Sequence, residues 1–412
     1  MLEFEAVLNF APSRDPSSVL PNDEHFFASV PSRPGIFLID TRSLSDASPS
    51  RPYLARTADL RRAAERLLRP PDPASKRLNL RQVAADFHYR VTGSRFEQSL
   101  ALYQHARALF PRRYRDFLRL RPPALLKVNL RNAYPRCYVT RRIFDDGGLY
   151  VGPFSSRRSA ENFASHFLDL FKIRRCQIKI RRDPSFPGCI YSEMKMCLAP
   201  CFAGCTKQDY DSEVARVVEA LESQGAALLS SIERERESAS EATDFERAAA
   251  LHKRREKVAG VFRGLPEIIR RADTLSAVIL QRAAREKSVA VFPVIDGILA
   301  QPFFLCFDDL SRPQSVEEIL RQHFQRLEPD DAPPPPVPCD IMNEKDGAAA
   351  VSVSPDPQFL ISSAQREEHL SLLARWFYSK PRAGEVLLRD ADWPYRRILR
   401  ACARVLAAEE SP

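Results

Sequence analysis

Five of the nine cysteines in this 412-residue chain lie between Cys176 and Cys205. Cys176 stands in KIRRCQIKI, and the other four stand in CIYSEMKMCLAPCFAGC, which runs from Cys189 to Cys205. Thiolates on short loops can hold a metal ion or an iron–sulfur cluster, whereas paired thiols can form a disulfide. Buried free cysteines are the third interpretation. The surrounding sequence has to decide between them.

The compartment argues against disulfides. The first residues, MLEFEAVLNF, contain acids and lack the basic segment and apolar core of a secretory leader. No run of about 18 apolar residues predicts a membrane span. We therefore expect a soluble cytoplasmic protein without a membrane partner. In a reducing cytoplasm, clustered cysteines favour metal or redox chemistry over disulfides.

The charge balance favours an anionic partner. The formal net charge is +9 and the isoelectric point is about 9.1, which is typical of many nucleic-acid-binding proteins. Only 13 glycines are present and none forms a Gly-rich phosphate loop, so a P-loop ATPase or a dinucleotide enzyme is disfavoured. Arg-rich runs at 112–121, 131–142 and 173–182 alternate with aromatic residues and suit contacts to DNA phosphates and bases.

The elements that must position these residues follow from local patterns. PGIFLID and RPYLAR predict strands, and TADLRRAAERLL and SRFEQSLALYQHARALF predict helices. LLKVNL, CYVTRRIF and LYVGPF predict a small sheet, and SRRSAENFASHFLDLF predicts the helix before the cysteines. Apolar spacing from Val214 to Ile232 predicts one amphipathic helix, paired with TDFERAAALHKRREKVAGVF in a helical hairpin.

Several of these stretches, taken in order, resemble the UvrC family, the nuclease subunit of bacterial nucleotide excision repair. PGIF and PYLARTADLRRAAERLL resemble that family's GIY-YIG nuclease opening. LYVGPFSSRRSAENFASHFLDLFKIRRC and CIYSEMKMCLAPCFAG resemble its Cys-rich region. DFERAAALHKRREKV resembles the UVR motif shared by UvrB and UvrC. The resemblance covers about residues 31 to 327 and is strongest from 149 to 258.

For the cysteines, the resemblance implies a cofactor. Cys176, Cys189, Cys197 and Cys201 match the spacing of the family's iron–sulfur ligands, so we expect a [4Fe–4S] cluster there. A four-cysteine zinc site has similar geometry, and spacing alone leaves it open. Cys205 is then a spare thiol or an alternative ligand. The other four cysteines are scattered and are expected to be structural: Cys137, Cys306, Cys339 and Cys402.

For the nuclease site, the resemblance maps onto an incomplete set of residues. The tyrosine of the first motif triplet corresponds to Phe37, while Tyr53 and Arg61 keep the second tyrosine and the arginine. The metal-binding glutamate corresponds to Leu102, so the Mg²⁺ or Mn²⁺ ligand is missing. Glu97 lies five residues earlier and is expected to be a solvated surface acid. Losing the ligand and the hydroxyl removes metal and acid–base assistance, which predicts an impaired site with Tyr53 and Arg61 as remnants.

The hairpin motif implies a protein partner. Phe245 would anchor a UvrB-like protein, with Glu246 and Arg247 at the rim and the Ala pair that begins at Ala248 allowing close helix approach. Leu251 is counted with them as a partner-binding residue. A plain hairpin that closes on itself is the alternative. His88 and His105 are isolated in the sequence and are not predicted as ligands.

Together these features predict a multi-domain α/β and α+β protein with six parts. They are a small degenerate GIY-YIG-like α/β domain at 25–115, a Cys-rich metal-binding region at 116–210, a UVR helical hairpin at 211–272, an α+β module at 273–328, a Pro-rich linker at 329–341, and C-terminal strand and helices at 342–412. The family's RNase H-like and helix-hairpin-helix domains are not recognised.

The leading functional prediction is a UvrC-like, DNA-binding repair factor that docks a UvrB-like partner. An active metal-dependent endonuclease that incises damaged DNA is one alternative. An adaptor or competitor that binds UvrB without cutting DNA is the other.

Overall fold

The computed structural model describes residues 3–10, 21–42, 52–70, 74, 76–307, 315–327 and 362–408. The predicted linker at 329–341, the strand-like stretch after it and Cys339 lie outside these ranges. Within them the chain forms three sheets, all of whose strand pairs are antiparallel, with helices packed on their faces. The α+β part of the predicted class is therefore confirmed, while the identities of the predicted sub-domains stay predictions. No helix in these ranges is both long and apolar enough to cross a bilayer.

The first sheet carries helices on both faces. Its elements are β1 (Ala6–Asn9), α1 (Pro21–Ser29), β2 (Gly35–Thr41), β3 (Tyr53–Thr57), α2 (Leu60–Leu68), β4 (Ala84–Val91) and α3 (Arg95–Leu109), with strand order β1-β4-β2-β3. Because strand side chains alternate between faces, Phe37 and Ile39 pack with α1 and α2. Ile36 and Leu38 pack on the other face, with residues of α3.

The middle of the chain builds a second sheet and a run of helices. The elements are α4 (Tyr114–Leu118), β5 (Ala124–Val128), β6 (Cys137–Thr140), β7 (Leu149–Phe154), α5 (Arg157–Leu168), α6 (Ile190–Glu193), a 3-10 turn (Pro200–Phe202), α7 (Lys207–Glu222), α8 (Ala226–Glu241), α9 (Phe245–Phe262) and β8 (Arg270–Arg271). The strand order is β6-β5-β7-β8. The cysteine-rich loops follow α5, and α8 and α9 form the hairpin.

The third sheet joins the two predicted C-terminal parts. It contains β9 (Ala277–Arg282), β10 (Ser288–Ile295), β11 (Ile298–Leu299), β12 (Phe303–Cys306) and β13 (Glu385–Leu388), with α10 (Val316–Leu327), α11 (Ser363–Phe377) and α12 (Tyr395–Ala407). β13 pairs with β9, in the register Val386 to Ile279. Segments predicted at 273–328 and 342–412 thus share one sheet, although their boundaries stay predictions.

One core connects the three sheets. Phe96 of α3 packs edge-on against Phe292 of the third sheet at 5.1 Å and against Trp376 of α11 at 5.5 Å, between ring centroids. The same buried cluster includes residues of the second sheet and of α5 and α7. A second cluster lies between α1, α2 and the first sheet, and a third lies between the third sheet, α10 and α12.

The prediction of one continuous amphipathic helix from Val214 to Ile232 is wrong. The helix ends at Glu222 and restarts at Ala226. Gly225 has a φ of +84°, and a Cβ built on it would lie 2.4 Å from the ring of Phe262. A left-handed residue with no room for a side chain must be glycine, so the break is fixed by the sequence at this position. The hairpin that results is α8 with α9.

Candidate metal centre and nuclease-like sheet

The four predicted ligand cysteines lie on short loops around α6. Cys176 follows α5, Cys189 is the N-cap residue of α6, Cys197 follows α6, and Cys201 lies in the 3-10 turn. Cys201 is buried and the other three are partly buried. Main-chain hydrogen bonds connect the loops: Asp183 N–H donates to the Cys201 carbonyl at 2.9 Å, and Leu198 N–H donates to the Lys172 carbonyl at 2.9 Å. The thiols therefore sit on a folded, internally bonded scaffold.

The four sulfurs are electrostatic neighbours. Burial, and then the charges of Cys176, Cys189 and Cys201, raise the pKa of Cys197 to about 11, although the Ala199 N–H lowers it. Burial, followed by the charges of Cys189 and Cys176, also raises the pKa of Cys201. The structure thus brings these four residues together. Burial, and then the charge of Asp209, raise the pKa of Cys205, and the charge of Cys201 adds to this shift.

The spacing of the sulfurs is wider than the spacing around a single ion. Among the described residues, one group of three side chains has its ligand atoms within 4.8 Å of one another, and it contains no cysteine. Around one tetrahedral zinc with 2.3 Å bonds, sulfurs would be about 3.8 Å apart. No three of the four cysteine sulfurs therefore all lie within 4.8 Å of one another.

The loop that carries Cys197 and Cys201 has a strained backbone. Lys195, Ala199 and Ala203 have φ values of 55°, 56° and 61°. The left-handed conformation costs a non-glycine residue about 1–2 kcal/mol. One of these residues, Ala199, donates its N–H to the Cys197 Sγ at 3.3 Å. Such strain persists only where the surroundings impose it, and it concentrates at functional sites.

The first sheet does not assemble the residues that the resemblance maps to a nuclease site. Phe37 is fully buried, and its ring stacks on Phe87 at 5.3 Å and lies 6.1 Å from the ring of Tyr53. The Arg61 Nε donates to the Val30 carbonyl at 2.8 Å and its Nη2 donates to the Ala28 carbonyl at 3.2 Å. The guanidinium is thus bound to the main chain at the end of α1.

The position mapped to the metal-binding glutamate lies on the opposite face of the sheet. Leu102, on α3, packs against the cluster of Leu38 and Leu54, whereas Phe37 and Tyr53 belong to the α2 face. The structure therefore brings Phe37 and Tyr53 together and separates them from Leu102. No carboxylate stands at any of these positions.

The prediction that Glu97 is a solvated surface acid is wrong. Glu97 is 1% exposed, and its Oε2 accepts the Gly93 N–H at 2.8 Å. Its own N–H donates to the Ser94 Oγ at 3.0 Å. Ser94 thus caps α3, the Glu97 carboxylate binds the residue before the cap, and Arg90 lies 3.6 Å from that carboxylate. Burial raises the pKa of Glu97. Glu97 therefore has a structural role at the start of α3.

His88 is isolated in the sequence but not in the fold. Pairing of β4 with β2 brings it to Asp40, whose Oδ2 lies 2.8 Å from His88 Nε2, and Asp86 lies two residues before it on the same strand. These three partly buried side chains are the group whose ligand atoms lie within 4.8 Å of one another. The missed signal is β4 itself: AADFHYRV mixes charged residues with a buried Ala84, Phe87 and Val91, and was not predicted as a strand.

Comparison with known proteins places the cysteine loops in a recognised domain. Residues 124–220 match the family model for the UvrC/Cho excinuclease middle domain. This segment of the chain is thus similar to the UvrC family. The segment that matches contains all four candidate ligand cysteines, β5 to β7, α5 and most of α7. No solved structure matches the chain.

Individual relatives extend beyond this domain. A UvrABC system protein C from Dehalococcoides mccartyi is 29% identical over 248 residues, which cover 59% of this chain and 39% of the relative. One from Carboxydothermus hydrogenoformans is 24% identical over 301 residues, covering 72% and 48%. One from Ruminiclostridium cellulolyticum is 33% identical over 127 residues, covering 31% and 21%. The chain thus spans less than half the length of each of these relatives.

The α8–α9 hairpin presents an exposed aromatic side chain. Phe245, the first residue of α9, is 71% exposed, and Glu246 and Arg247 beside it are also exposed. Asp244 caps the helix by accepting the Arg247 N–H at 3.0 Å. The start of α9 is thus ordered while its large apolar side chain has no core around it.

One residue predicted for partner contact lies inside the hairpin. Leu251 is buried and packs with Val258, Ile232 and Ala239 between α8 and α9. Placing Leu251 on the docking surface was therefore wrong. Ala248 is partly buried and packs against the same cluster, which leaves Phe245, Glu246 and Arg247 as the outward-facing members of the predicted set.

The basic runs divide into structural and exposed cations. Arg174 is buried and donates to the carbonyls of Tyr134 at 2.8 Å and Ile178 at 2.7 Å. Arg136 lies 4.3 Å from the ring of Tyr138, an arrangement that presents a cation on an aromatic platform. Exposed members of the runs include Arg112, Arg113, Arg131, Arg141 and Arg142. These exposed arginines can contact phosphates.

Proposed function

We propose that this chain is a DNA-binding factor of nucleotide excision repair that holds an iron–sulfur cluster and docks a UvrB-like partner. The observation that carries the proposal is the convergence of Cys176, Cys189, Cys197 and Cys201 within the segment that matches the UvrC/Cho middle domain. The basic surface and the exposed Phe245 supply the DNA and protein contacts. The chain matches less than half of the length of each of these relatives. Their roles are therefore proposed for this chain and are not transferred to it as a whole.

The donor set favours a [4Fe–4S] cluster over zinc. Four soft thiolates suit either, but no three of the sulfurs approach the spacing of about 3.8 Å around one zinc ion. A cube of irons and sulfides is larger than one ion and requires more widely spaced thiolates. When bound, the cluster would supply a structural and redox-sensitive element beside the DNA-binding surface. The residues of the chain hold it, donate the Ala199 N–H to one sulfur and offset its negative charge with nearby arginines.

We expect cysteine substitution to remove the cluster. Protein purified without oxygen should be brown and contain about four irons per chain. Cys197→Ser should lose the colour and most of the iron, because a hydroxyl is a poor soft ligand. Cys306→Ser, at a partly buried cysteine of the third sheet, is the matched control and should keep both. Stoichiometric zinc without iron, or iron retained in Cys197→Ser, would refute the cluster.

DNA cleavage is not part of the proposal. Phe37 lacks the hydroxyl, Leu102 lacks the carboxylate, and the two lie on opposite faces of the sheet. Arg61 is bound to two main-chain carbonyls. Supercoiled plasmid incubated with the protein and Mn²⁺ should therefore stay intact. Nicking by wild type that Arg61→Ala abolishes would establish the endonuclease alternative instead.

Removing the exposed aromatic side chain should weaken partner binding without unfolding the chain. Truncating a central aromatic anchor costs about 2 kcal/mol or more, or roughly 30-fold in Kd. We expect Phe245→Ala to lose that much affinity for a UvrB-like protein, measured by calorimetry in the absence of DNA. Phe304→Ala, which removes another exposed phenylalanine from the third sheet, should bind normally. If both variants and wild type bind with equal affinity, the surface around Phe245 is not the docking site.

A further inference from the structure

A cavity of about 920 Å³ opens between the first sheet and the C-terminal part of the chain. Its walls come from β3, the start of α3, the end of β9, the C-terminal turn of α11, the segment 379–384 and the end of α12. None of the lining residues lies within 124–220, the segment that matches the UvrC/Cho middle domain. The cavity is also distinct from the cysteine loops and the α8–α9 hairpin.

A buried amide holds the walls together. Gln281 is 1% exposed; its Oε1 accepts from the Ser94 Oγ at the start of α3, and its Nε2 donates to the Ala383 carbonyl at 2.9 Å. The Trp376 Nε1 donates to the same carbonyl at 2.9 Å. Three parts of the chain are thus fixed relative to one another around the cavity. The cavity is a formed pocket and not a gap between independent surfaces.

The charge on the walls is strongly one-sided. Glu385 is the only carboxylate among the lining residues, and it forms hydrogen bonds with Arg404 at 2.7 and 2.5 Å. Partial burial, and then the charges of Arg56 and Arg121, lower the pKa of Arg375. Guanidinium groups therefore repel one another here. The remaining lining cations are Arg56, Arg95, Arg282, Arg375, Lys380 and Arg382.

The apolar part of the wall and the guanidinium groups together narrow the class of ligand. Phe96 and Leu372 supply apolar wall, and Arg382 lies 4.6 Å from the ring of Phe377. Guanidinium forks match phosphate oxygens better than point charges do. A ligand with both a phosphate and an apolar or aromatic part fits this combination, and the volume is typical of small-molecule sites.

We propose that this pocket binds the phosphate of a nucleotide, presented either by a free nucleotide or by the end of a DNA strand. The proposal goes beyond the function proposed above, because it involves neither the cysteines nor the hairpin. Arg95 and Arg382 are both exposed and both line the pocket. Arg95 is the first residue of α3, whereas Arg382 lies in the segment 379–384 near the C-terminus.

The test compares short single strands that differ only in a 5′-phosphate or a 5′-hydroxyl, with a fluorophore on the 3′ end. Wild type should prefer the phosphorylated strand about ten-fold in anisotropy titrations, as expected for one or two charge-assisted hydrogen bonds. The double variant Arg95→Ala with Arg382→Ala should lose the preference. Arg396→Ala removes an exposed arginine of α12 that does not line the cavity and should keep it.

Free dAMP and ATP distinguish the two sources of phosphate. If either raises the melting temperature of wild type but not of the double variant, the ligand is a free nucleotide. If only the phosphorylated strand responds, it is a strand end. No phosphate preference together with no nucleotide effect, or equal losses in Arg396→Ala, would overturn the proposal. Binding to closed circular DNA, which has no ends, reports separately on the general DNA-binding function.

Discussion

Glu368→Ala should destabilise the chain by about 3–5 kcal/mol, because it removes the acceptor shared by three donors at a buried junction. Glu368, on α11, is 5% exposed. Its Oε2 accepts from the Tyr103 Oη at 2.7 Å, and its Oε1 accepts from the Tyr114 Oη and the Arg115 Nε, both at 2.6 Å. Tyr103, itself 2% exposed, would be left with a hydroxyl far from water.

The loss should appear as a lower urea midpoint with an unchanged slope. Glu368→Gln keeps an acceptor of the same shape and should lose less than half as much. Glu317→Ala is the matched control: it removes an exposed glutamate that pairs with Arg321 at 2.7 Å, and exposed pairs contribute less than about 1 kcal/mol. If Glu368→Ala is as stable as Glu317→Ala, the junction does not hold α11 to α3 and α4.

Local patterns in the sequence predicted most elements but not how they meet. The strands at PGIFLID and LYVGPF and the helices that begin at Leu60 and Arg95 are where spacing and capping residues place them. The pairing of β13 with β9 could not be predicted, because the partners are about a hundred residues apart and the intervening sequence carries no repeat. Glu368 lies even farther from the tyrosines it binds, 265 residues from Tyr103 and 254 residues from Tyr114.

The candidate sites show the same contrast between features that are local in the sequence and features that the fold brings together. The grouping of the four candidate ligand cysteines could be predicted because these residues are close together in the sequence. Glu97 was misjudged because its position along the predicted helix does not by itself show that its side chain is buried in the fold. The cationic pocket was not predicted at all, since its arginines come from β3, α3, α11 and α12 and none stands out in its own segment. Sites made by distant segments become visible only when the fold is known.

Replacing His369 should make the free energy of unfolding fall less steeply as the pH is lowered. His369 is 5% exposed, and its Nδ1 accepts the Leu299 N–H at 3.0 Å, which requires the neutral ring. Burial lowers the pKa of His369 to about 4; Arg107 also lowers it and Glu368 opposes the shift. In the unfolded chain a histidine titrates near 6.5. The unfolded state therefore binds the extra proton first, and native stability falls as the pH drops from about 6.5 to about 4.

The full difference is about 3 kcal/mol across that window, since each pKa unit corresponds to about 1.4 kcal/mol. His369→Gln keeps an acceptor for Leu299 but cannot gain a proton. As the pH falls from 7 to 4.5, the free energy of unfolding of wild type should therefore decrease relative to that of His369→Gln. The carboxylates contribute equally to both proteins and do not change this difference. His166→Gln, at an exposed histidine in the last turn of α5, should run parallel to wild type. Parallel curves for His369→Gln as well would show that the buried ring is not the group that limits stability in acid.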